Sequence, residues 1–199
     1  MRKWLLTLMA ALMAVVLVVP AAGADGHIPS IVDVLTADGD QFDNDWNDFD
    51  ILTEAVIAAG LAGALDDGGL PFDVTVFAPN DAAFRKLAQD MSGVRPTSEA
   101  ETFDIVASVG IATVADVLLY HVVEGEVFYS TALTLDGADV PTLLGPTFQI
   151  DVMKNTRIML IDQDPNDRNA VVNRLVNDID VSNGVIHGID RVMRPLDLP

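Results

Sequence analysis

Tyr120-His121 and His187 are the side chains of this sequence best suited to moving a proton or holding a metal. An imidazole titrates near neutral pH and has two ring nitrogens, so a pair of them could supply a catalytic base or half of a zinc site. A zinc site needs further donors, and neither histidine stands at a ligand spacing such as His-Glu-x-x-His. Each therefore reads as a buried structural group that donates to a backbone carbonyl. Oxygen chemistry is the second candidate. The run Asp162-Gln163-Asp164-Pro165-Asn166-Asp167 sets oxygen donors at Asp162, Asp164, Asn166 and Asp167, and alternating oxygens are how a loop wraps calcium. The run lacks the glycine and distal glutamate of helix-loop-helix calcium sites and carries Pro165 and Arg168 instead, so a solvated hairpin tip is the competing reading. Asp38 to Asp45 supports the same two readings.

These groups need elements to position them. From Ile51, the apolar residues Leu52, Ala55, Val56 and Ala59 recur at helical spacing, with Asp48 or Asp50 as cap and Gly60 as a left-handed stop. Leu61 to Leu65 adds one turn, and Asp67-Gly68-Gly69 reverses the chain. Val74 to Phe77 is a short β-branched strand bounded by Pro79. Asn80 then caps a helix whose buried stripe is Ala83, Phe84, Leu87 and Ala88. Phe103, Ile105, Val106 and Val109 predict another helix ending near Gly110. Thr113 caps one through Leu118 and Leu119, which hands over to an extended Tyr120 to Val123.

The period then changes. Val140 to Leu144, Phe148 to Val152, Ile158 to Ile161, Ala170 to Val172 and Val185 to Ile189 are short apolar or alternating runs separated by turn formers, and Asn183-Gly184 is a strong turn signal. Helices crowd the first half and strands the second. That distribution predicts an α+β domain with helices packed on an antiparallel sheet or sandwich.

Arg2 and Lys3 precede an apolar run from Leu5 to Val19, and Ala22-Gly23-Ala24 follows Pro20. This is the pattern of a secretory signal peptide over 1–24, cleaved after Ala24. A short segment, 25–29, then leads into a domain over 30–196. With no cysteine, neither a disulfide framework nor a lipid-modified cysteine is available, so the core must carry stability. No later apolar run is long enough to span a bilayer. A net charge of −19 repels nucleic acid and anionic lipid, since both depend on Lys and Arg.

Three boxes resemble the fasciclin domain family. Thr75-Val76-Phe77-Ala78-Pro79-Asn80-Asp81-Ala82-Ala83-Phe84 is similar to its first box, with Asn80 where Thr or Ser is usual. Leu118-Leu119-Tyr120-His121-Val122-Val123 resembles its tyrosine-histidine motif. Ser182-Asn183-Gly184-Val185-Ile186-His187-Gly188-Ile189-Asp190-Arg191-Val192-Met193-Arg194-Pro195 resembles its closing box, with Met193 in place of Leu. The resemblance implies a wedge of two β-sheets with helices packed mainly from the N-terminal half. It also implies an adhesion role outside cells, with Tyr120 and His121 in the region used for recognition.

The resulting expectation is a secreted module, extracellular or periplasmic, that binds a protein or polysaccharide without catalysis. No Gly-x-Ser-x-Gly elbow, phosphate-binding glycine loop or dinucleotide fingerprint occurs in the chain. The rivals are a periplasmic calcium- or small-ligand-binding protein and a hydrolase with an unfamiliar site.

Overall fold

Val74 to Pro79 is buried at every position, and so is Gly184 to Ile189. A strand buried on both sides must lie inside a sheet that is itself covered on both faces. In a computed structural model of the chain, which describes residues 26–37, 39, 42–154 and 156–196, these two segments are the central pair of one sheet. The signal-peptide reading of residues 1–24 lies outside the described residues, as do Asp38 and Asp40 of the first aspartate-rich stretch.

The chain order is α1 (Ile31–Leu35), α2 (Asp50–Ala58), α3 (Ala62–Leu65), β1 (Val74–Pro79), α4 (Asp81–Ser92), α5 (Glu99–Ala107), α6 (Ile111–Tyr120), β2 (Val122–Glu124) and α7 (Tyr129–Ala132). There follow β3 (Asp139–Pro141), β4 (Thr147–Met153), β5 (Arg157–Ile161), β6 (Ala170–Val171), β7 (Ile179–Val181) and β8 (Gly184–Ile189). One sheet has the order β2-β1-β8-β7 and the other β3-β4-β5-β6. The architecture is α+β, with the helices largely in the first half.

Alternation along β1 divides the core in two. Val74, Val76 and Ala78 face the cluster built with the helices, which includes Leu52, Phe84 and Leu118. Phe77 faces the cluster shared with the second sheet, where Phe148, Ile150, Ile158 and Leu160 lie. The first sheet is thus the middle layer between helices and second sheet. A bridge between Val172 and Ile189 ties the two sheets together.

Three local expectations change. β1 and β8 run parallel, from Val74 opposite Gly184 to Pro79 opposite Ile189, so the sheet is mixed rather than antiparallel. α6 starts at Ile111 from Gly110, whose φ of 98° a glycine tolerates, and Thr113 lies inside the helix with its hydroxyl on the Val109 carbonyl. Tyr120 ends that helix instead of opening a strand. The Asn183-Gly184 turn is present, and it needs its glycine: φ is 149°, and a Cβ there would meet the Val74 carbonyl oxygen.

Candidate functional site

Tyr120 and His121 lie where α6 meets β2, and both are buried. The Tyr120 hydroxyl donates to the Thr147 carbonyl at 2.9 Å, and its ring meets Phe148 edge-on. Burial holds the phenol above its ordinary range. His121 is 2% exposed. Its Nδ1 lies 2.7 Å from the Val117 carbonyl and its Nε2 accepts from the Met193 amide at 2.8 Å. A single neutral tautomer satisfies both contacts, and burial pushes the imidazole down to about 4. Neither side chain is presented to a partner; together they fasten α6 to the second sheet and to the segment after β8.

His187 repeats the arrangement. Its Nε2 lies 2.7 Å from the Val127 carbonyl, its Nδ1 accepts from the Asp178 amide at 3.2 Å, and the ring stacks on Phe77. Burial lowers its pKa as well. An apolar cavity of about 60 Å³ lies beside His121, lined by Leu35, Leu52, Val56, Leu61 and Val76. That is well below the roughly 300 Å³ at which sites for small organic ligands begin.

The run from Asp162 to Asp167 closes on a guanidinium. Arg194, 5% exposed, contacts Asp164 at 3.1 Å, Asp167 at 3.0 Å and Asp90 at 2.7 Å. The Arg194 amide donates to Asp162 at 2.8 Å, and Arg191 pairs with Asp167 at 3.2 Å. The Asn166 amide donates to Asp164 at 2.8 Å. Three of the donors that a calcium loop would offer, Asp162, Asp164 and Asp167, are therefore turned to docking the C-terminal segment. Arg194 was legible only as a residue of the closing box.

A second acidic group forms where the 42–50 segment crosses the starts of α4 and α5. α2, α4 and α5 each begin on an acid, at Asp50, Asp81 and Glu99. A carboxylate in a first helical turn is favoured by the free amides there, and these three face the same segment. α2 has no side-chain cap of its own; the Ile51 amide donates to Asp81 Oδ1 at 3.0 Å instead. In return the Asp81 and Ala82 amides donate to the Asp48 and Trp46 carbonyls. The Asn44 amide donates to Glu99 Oε2 at 2.7 Å. Arg85 lies over the Trp46 ring at 4.0 Å and donates to the Pro96 carbonyl.

One oxygen from each of Asp48, Asp50 and Asp81 falls within 4.8 Å of the others, and the same holds for Asp43, Asp50 and Glu99. Asp50 joins the two sets. Burial, reinforced by neighbouring carboxylates, raises Asp48 and Asp81 and pushes Glu99 up to about 7. Sequence reasoning marked Asp43 within the Asp38 to Asp45 run and Asp48 and Asp50 as helix caps but missed Asp81 and Glu99. Each looks like an ordinary first-turn acid next to its cap, and nothing local says that the two share a site.

The sequence profile of the fasciclin domain matches residues 47–195. This chain belongs to the fasciclin domain family. Two proteins of Synechocystis sp. are similar to it. Uncharacterized protein sll1735 is 32% identical over 166 residues, covering 83% of this chain and 98% of the relative. Protein sll1483 is 33% identical over 147 residues, covering 74% and 67%. Among solved structures, a FAS1 domain pair from the insect cell adhesion molecule Fasciclin I superposes with a TM-score of 0.60 at 16% identity. The match covers 85% of this chain and 52% of that one, so this fasciclin domain spans about half of the pair. In the fasciclin fold seen here, the first box builds β1 and the start of α4. The closing box builds β8 and supplies His187, Met193 and Arg194.

Proposed function

We propose that this fasciclin domain is exported with loss of residues 1–24 and acts outside the cytoplasm as an adhesion or matrix-interaction module, binding a protein or polysaccharide without chemistry. The observation that carries this reading is the fasciclin fold running through nearly the whole described chain, in a family of adhesion-type modules that includes a domain pair from an insect cell adhesion molecule. The burial of Tyr120 and His121 moves the contact surface elsewhere. Exposed apolar residues such as Leu175, at 86% exposure, and Val94 offer anchors on an otherwise acidic surface.

The test is binding of the purified protein to envelope or matrix material from its own source cells. Saturable binding is expected, lost after protease treatment if the partner is a protein and after periodate oxidation if it is a polysaccharide. Absence of saturable binding overturns the reading. Cell fractionation tests export separately: the protein should appear outside the cytoplasm, shortened after Ala24.

A further inference from the structure

The group at the starts of α2, α4 and α5 has more buried oxygen than the protein satisfies. Asp81 and Glu99 are each 0% exposed. One oxygen of each has a backbone donor, but Asp81 Oδ2 and Glu99 Oε1 have no hydrogen-bond partner, and neither has Asp48 Oδ1. A bare carboxylate oxygen withdrawn from water is costly, so native structures supply a partner for it. Among the described residues no basic side chain is paired with Asp43, Asp48, Asp81 or Glu99. A proton shared between Asp48 and Asp81 would serve those two. It would leave Glu99 Oε1 as it is.

We propose that the two carboxylate sets joined at Asp50, Asp43-Asp50-Glu99 and Asp48-Asp50-Asp81, bind divalent cation, calcium in preference to magnesium, which fastens the 42–50 segment to the starts of α4 and α5. The donors are all hard oxygens, the kind that select calcium or magnesium over softer metals. Calcium holds oxygens about 2.4 Å away in irregular arrangements, so oxygens up to ~4.8 Å apart can share one ion, whereas magnesium requires a tighter octahedron. The two sets, joined by Asp50 and built from irregularly placed carboxylates on three different elements, suit the larger ion, which tolerates irregular geometry and higher coordination. Asp43 is exposed and opens the site to solvent, while Asp81 and Glu99 form its floor.

The experiment uses the purified protein stripped of metal with EGTA. Calcium at about one hundred times its dissociation constant is expected to raise Tm by about 5–10 °C. Magnesium is the arm that checks the preference, and an equal response to both ions overturns the calcium assignment. Terbium should give luminescence sensitised by Trp46, and Trp46→Phe should abolish it. Glu99→Gln is expected to weaken terbium binding at least tenfold. Asp43→Asn, whose exposed side chain can change without disturbing the core, should do likewise. No Tm shift at millimolar calcium together with no sensitised terbium signal overturns the proposal. A calcium response unchanged in both variants overturns it too, because the ion then sits elsewhere on the acidic surface.

Discussion

Two acid-rich regions of this protein look alike in sequence and differ in what they face. Around Arg194, the carboxylates of Asp90, Asp164 and Asp167 converge on a buried guanidinium, and Asp162 takes its backbone amide. At the starts of α2, α4 and α5, Asp48, Asp81 and Glu99 are drawn together with oxygens left bare. Asp composition therefore says little by itself. Removing the guanidinium from the first region should therefore cost stability, whereas taking a charge from the second should relieve it.

The largest expected effect is from Arg194→Met. It leaves Asp164 buried and unpaired and should cost about 3–5 kcal/mol in urea unfolding. A loss below 1 kcal/mol would place the two regions in one class.

Acid sharpens the contrast through His121, whose two ring nitrogens both have partners. His121 is held near 4 when folded, against about 6.5 in a model peptide. A depressed histidine contributes stability that is full above pH 6.5 and is lost as the pH falls through 4. The loss over that window is about 3 kcal/mol, and His121→Gln should flatten that part of the stability profile.

Glu99→Gln carries the opposite sign. In EGTA at pH 8 it should stabilise the protein by about 2 kcal/mol, because it removes a buried charge and keeps an acceptor for Asn44. Destabilisation in chelator would mean that the charge already has a partner.

Smallest is Tyr120→Phe, which removes one completed hydrogen bond. About 1 kcal/mol should be lost, with binding to envelope material unchanged at equal folded fraction.

What could be read from sequence was local. The stripe Ala83, Phe84, Leu87 and Ala88, the Asn80 cap and the strands β1, β4, β5 and β8 follow from residue periodicity and turn chemistry. β7 escaped because three residues with Asp180 in the middle carry too little pattern. The start of α2 was misread for a different reason: Asp48 and Asp50 stood ready as caps, but the acceptor for Ile51 comes from Asp81, thirty residues on. Arg194 and the Asp162–Asp167 run likewise find each other only through the fold. The fasciclin boxes conveyed the architecture, since they mark the two strands at its centre. They did not convey which polar groups would be complete.

The pairing of β1 with β8 sets an order in time. The middle strand of the molecule is made early and waits for its neighbour until nearly the whole chain has been synthesised. Contacts this distant along the chain slow folding, so a nascent copy should lack its finished central sheet until its last strand arrives. A copy truncated before Gly184 should never gain protease resistance, however long it is given.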